Sequence, residues 1–76
     1  MNLSPPMSGP ATDALRRSPI PALRGLSVEE TESQVILLGS VATYYLKQLA
    51  QETVMPVLGG RELSNRVTVV GHRAHV

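Results

Sequence analysis

Residues 34–70 alternate apolar and polar positions with a period of two, then of 3.6, then of two again. Val35, Leu37, Gly39 and Val41 share one parity and Ile36 and Leu38 the other, which predicts a strand with the odd residues inward. Leu46, Leu49, Ala50, Thr53 and Val57 then recur at helical spacing, with Tyr44, Lys47, Gln48 and Gln51 on the other side. Thr43 is placed to cap that helix, Pro56 disturbs its last turn, and Gly59-Gly60 stops it. Leu63, Asn65, Val67 and Val69 alternate with Glu62, Ser64, Arg66 and Thr68, a last strand.

Upstream, Leu26, Val28 and Glu30 alternate with Ser27, Glu29 and Thr31, and polar residues 31–34 make a turn, so a hairpin precedes the helix. Thr12 or Asp13 caps a first short helix carrying Leu15, Arg16 and Arg17, which Pro19 and Pro21 interrupt. The pattern predicts an α+β domain of order αββαβ, a three-stranded mixed sheet with two helices packed on one face. The partner of the last strand is open between the first and the second. Residues 1–10 hold three prolines and read as a disordered tail, residues 11–70 as the domain, and residues 71–76 as a frayed end.

The order of these pieces resembles the BON domain, a small module of bacterial osmotically inducible and nodulation-related proteins. The resemblance rests on Val35-Ile36-Leu37-Leu38-Gly39-Ser40-Val41, on Lys47-Gln48-Leu49-Ala50, on Gly59, and on Leu63-Ser64-Asn65-Arg66-Val67-Thr68-Val69. Gly59-Gly60 stands where the family has Gly-Val. The resemblance implies a non-enzymatic module that binds phospholipid surfaces or other envelope components, and it carries no catalytic residues.

Composition narrows the chemistry. With 76 residues and no cysteine, the core is small and unstapled. Net charge is +1, without the basic excess of a nucleic-acid binder, so no nucleic-acid partner is expected. No apolar run reaches the ~20 residues of a membrane span. No signal segment is read at the start, so a cytoplasmic location is expected if that start is native.

Arg16, Arg17 and Arg24 form the first candidate site, because guanidinium groups fork onto phosphate oxygens of anionic lipid headgroups. The plain alternative is a solvated surface loosely paired with glutamates. Ile36, Leu38 and Tyr44 form a candidate partner surface, with Ile36 and Leu38 on a sheet face left open or covered by a tail. Monomer and weak homodimer are both compatible with it. Tyr45 is expected half-buried beside the apolar stripe. The tyrosines lack the basic company that base stacking needs. Asn65, inward in an apolar strand, is expected to bond backbone where helix and strand meet. His72 and His75 lack further ligands nearby, so no metal or other cofactor is expected. Asp13, Glu29, Glu30, Glu32, Glu52 and Glu62 read as solvated positions at helix starts, strands and turns, with no catalytic constellation.

Overall fold

The computed structural model describes residues 9–70. Two short helices, α1 (Pro10–Arg16) and α2 (Pro21–Arg24), precede β1 (Ser27–Glu30) and β2 (Gln34–Leu38). A two-residue continuation, β3 (Ser40–Val41), leads into α3 (Tyr44–Val54) and a 3-10 turn (Met55–Val57). The chain returns through β4 (Glu62–Asn65) and β5 (Thr68–Val69). The fold is the expected α+β arrangement. Of the expected tails, residues 1–8 and 71–76, including His72 and His75, lie outside the described residues, whereas residues 9 and 10, read as tail, open α1.

The sheet order is β1-β2-β4. β1 and β2 form the antiparallel hairpin, with Val28 opposite Leu37. β4 pairs parallel with β2, Val35 opposite Leu63 and Leu37 opposite Asn65, which settles the strand partner that the sequence left open. The ladder continues through β3 and β5, with Val41 opposite Val69. Thr31 makes the hairpin turn, its Oγ1 accepting from the backbone N–H of Ser33 and Gln34.

Gly39 breaks the second strand at φ 126°, a conformation that favours glycine. Glycine on the inward side of a strand commonly marks a bulge or the close approach of another element. The close neighbour is instead the Leu26 side chain, 2.9 Å from where a Cβ would stand. Gly59 and Gly60, at φ 62° and 86°, stop the helical segment as expected.

Inward residues of the strands meet the helices in one core: Ala11, Leu15, Leu23, Val35, Leu37, Val41, Ala50, Val54 and Val67 are buried. Burying a Leu or Val side chain contributes about 1.5–3 kcal/mol, so these few residues carry most of the driving force. Thr43 caps α3, its Oγ1 accepting from the Leu46 N–H at 3.1 Å. Asn65 holds that helix to the sheet. Its Nδ2 donates to the Lys47 carbonyl at 3.0 Å and its Oδ1 accepts from the Val67 N–H at 3.2 Å. Asn65→Ala leaves both groups without this partner and is expected to cost about 1–3 kcal/mol in urea unfolding.

Candidate functional site: two poles of opposite charge

The inward parity of β1 ends on a carboxylate. Glu30 is only 8% exposed at its side chain and bonds to three parts of the chain. It accepts from the Thr12 N–H at 2.9 Å, the Thr12 hydroxyl at 2.8 Å and the Ala11 N–H at 3.3 Å. Those N–H groups belong to the first turn of α1, which has no side-chain cap of its own. The expected cap at Thr12 or Asp13 is therefore corrected. The helix begins a turn earlier, with Gly9 at its N-cap position, and β1 supplies the capping oxygens. A Cβ at Gly9 would overlap the Glu30 carboxylate, so any larger residue at the entry to α1 has to push that side chain aside.

Arg61 completes the clasp. Its Nη1 lies 3.0 Å from Glu30 Oε1, while Nε donates to the Leu58 carbonyl at 2.7 Å and Nη2 to the Val57 carbonyl at 3.2 Å. Burial pushes the Glu30 carboxyl up, but hydrogen bonds from Thr12, Arg61 and Ala11 outweigh it and leave its pKa below the ordinary value. Glu30 is a structural residue rather than the solvated position read from sequence. An acidic side chain on the inward parity of Leu26 and Val28 was the signal, because a buried carboxylate needs partners.

The clasp orients the helical layer. It joins the start of α1 to the end of the helical segment that follows α3, and α1 then runs back along α3 toward its start. Arg24 Nη1 donates to the Ser18 carbonyl at 2.9 Å, which ties α2 to the end of α1. Ser27 pairs with Leu38, and Leu26 abuts Gly39, so α2 lies at the end of the sheet where α3 begins.

This topology separates the charges. Glu29, Glu30 and Glu32 lie at the β1–β2 turn or just before it, and Glu62 pairs with Gln34 at the start of β2. Glu52 belongs to the last turn of α3, and Asp13 to the middle of α1. Five of the six acidic residues thus fall toward one pole, while Asp13 stands one helical turn from Arg16 and Arg17. Arg16 and Arg17 end α1, Arg24 ends α2, Lys47 stands in the first half of α3, and the Arg66 N–H bonds the Leu37 carbonyl toward the other pole. Arg61 is the one described cation at the acidic pole, and it is bound to Glu30. Among the described residues the glutamates thus gather toward one end and most of the cations toward the other.

Arg16, Arg17 and Arg24 are all exposed, and the fold brings them to the same end. Tyr44 and Tyr45 open α3 at that end and are 76% and 69% exposed. The half-buried expectation for Tyr45 is corrected. The buried side of α3 is centred on Ala50 and Val54, and at about 100° per residue Tyr45 falls on the opposite side. Lys47 follows Tyr44 by three residues, and Arg16, Arg17 and Arg24 end the two helices that pack on α3. Val70, 56% exposed, joins them through its N–H bond to the Val41 carbonyl.

The other candidate surface is not assembled as one patch. Ile36 and Leu38 lie on the sheet face away from the core and are half-buried, flanked across the strands by Glu29, Ser64 and Ser27. Tyr44 lies in the helical layer instead. Among the described residues no group of His, Asp and Glu is arranged to hold a metal ion, and no helix is long and apolar enough to cross a membrane. Comparison with protein-family models, curated proteins and solved structures finds no match for the chain.

Proposed function

We propose that this chain is a non-enzymatic, BON-like binding module that associates peripherally with anionic phospholipid surfaces through Arg16, Arg17 and Arg24. The observation that supports this reading is the gathering of those arginines at the pole remote from the glutamates. Near an anionic bilayer each basic side chain contributes about 1 kcal/mol, and that attraction decays within a Debye length of about 10 Å at 0.1 M salt. Charges at the far pole, a sheet length away, are screened from it. The pole also exposes apolar and aromatic side chains, which suit a bilayer interface better than a solvated face does.

Sedimentation with vesicles tests the reading. The chain is expected to pellet with vesicles rich in anionic phospholipid at low salt, to be released by high salt, and to ignore neutral vesicles. Equal partition onto both, or none onto either, contradicts it.

Ile36 and Leu38 support a second reading, the pairing of two copies through the far sheet face. Light scattering across a concentration range distinguishes it. A mass that rises toward the dimer and falls back in Leu38→Glu supports pairing, and a monomer at every concentration removes it.

A further inference from the structure

We propose that Tyr44 and Tyr45 are the anchor of the basic pole, entering the headgroup layer of an anionic phospholipid bilayer so that the domain stands end-on. The inference rests on the membrane reading above and adds to it the residues that enter the bilayer and the orientation they impose.

Both rings belong to the first turn of α3, which begins at the end of the sheet rather than over it. They project from a helix whose buried side is supplied by Ala50 and Val54, with Leu46 and Leu49 packed around them. The core therefore has no use for them. Tyrosine suits the bilayer interface because its ring is apolar and its hydroxyl is wetted, and exposed Val70 adds apolar surface nearby. Arg16, Arg17, Arg24 and Lys47 lie toward the same end, with Asp13 the one carboxylate within a helical turn of Arg16 and Arg17, so the net charge around the rings complements an anionic surface. A nucleic acid also takes aromatic and basic groups, but it needs a groove that tracks its backbone. The rings stand instead at the start of α3, just past the last paired residue of β3. The rings occupy a terminus and not a channel.

The chain contains two tyrosines and no tryptophan, so its intrinsic emission reports on this turn alone. The full chain is mixed with vesicles of mixed anionic and neutral phosphatidyl lipids carrying a spin label at the top of the acyl chain. The expected result is quenching of tyrosine emission that tracks sedimentation and disappears when high salt releases the protein. Tyr44→Ser/Tyr45→Ser, two exposed positions, is expected to keep the circular dichroism of the parent and the salt dependence. Its partition should fall about tenfold for the loss of two interfacial rings. Vesicle binding without quenching, and with unchanged partition of the variant, overturns the anchor while leaving the arginine reading standing. No vesicle binding overturns both. Quenching by a single-stranded oligonucleotide at concentrations where vesicles have no effect also overturns the lipid assignment.

Discussion

Glu30→Ala is expected to lose about 1.5–3 kcal/mol of stability, the usual worth of hydrogen bonds to a charged group. A domain of 76 residues holds about 4–11 kcal/mol in all, so the variant gives up a large part of it. Three losses combine. The first turn of α1 loses the acceptor for Ala11 and Thr12, Arg61 keeps a guanidinium that is 15% exposed without its counter-charge, and a void opens beside Gly9. Glu30→Gln retains an acceptor for the helix and is expected to lose less. Urea unfolding of the three proteins checks the order, parent above Gln above Ala.

The same residue sets an acid limit. Its carboxyl titrates lower in the folded chain than in the unfolded one, where the value is about 4.3. In that interval the unfolded chain binds more protons, so stability rises with pH. The Glu30 contribution is complete above about pH 4.3 and fades as pH falls toward and through the lowered folded value. In Glu30→Gln that part of the acid dependence is expected to be missing. An unchanged acid profile in the Gln variant contradicts the assignment.

The second large effect concerns binding. Arg16→Ser/Arg17→Ser removes two charges from the basic pole, worth about 2 kcal/mol or roughly thirtyfold in partition onto anionic vesicles. Arg16 and Arg17 are exposed and make no side-chain hydrogen bond or ion pair among the described residues, so folding should be little affected. Arg24 is a less clean probe, because its guanidinium also holds the Ser18 carbonyl.

What could be read from the chain divides by the range of the interactions. The α3 stripe, the Thr43 cap, the turn at Thr31 and the glycine stop depend on residues a few positions apart, and each appears in the structure. Asn65 was also legible, since an amide on an apolar parity has to find backbone. The Glu30–Arg61 clasp was not, because its partners are 31 residues apart and meet only once β4 pairs with β2. Charge segregation was hidden for a related reason. Arg61, Glu62 and Arg66 alternate in sequence, and Asp13 stands three residues from Arg16, so a near-neutral sum carries no trace of two poles. Tyr45 misled because its spacing to Leu49 matches the core stripe, whereas the buried side of α3 is centred on Ala50 and Val54, with Val54 missing from the stripe read from the sequence.

Charge placement, rather than charge itself, is the central claim, and one comparison tests it directly. Arg16→Ser/Arg17→Ser and Ser33→Glu/Gln34→Glu each lower the net charge by two, the first pair at the basic pole and the second at the acidic hairpin turn. Sedimentation of both with anionic vesicles at low salt is predicted to show a roughly thirtyfold loss for the arginine variant and near-parent binding for the hairpin variant. Equal losses in the two, or no loss in either, would contradict a membrane-facing basic pole.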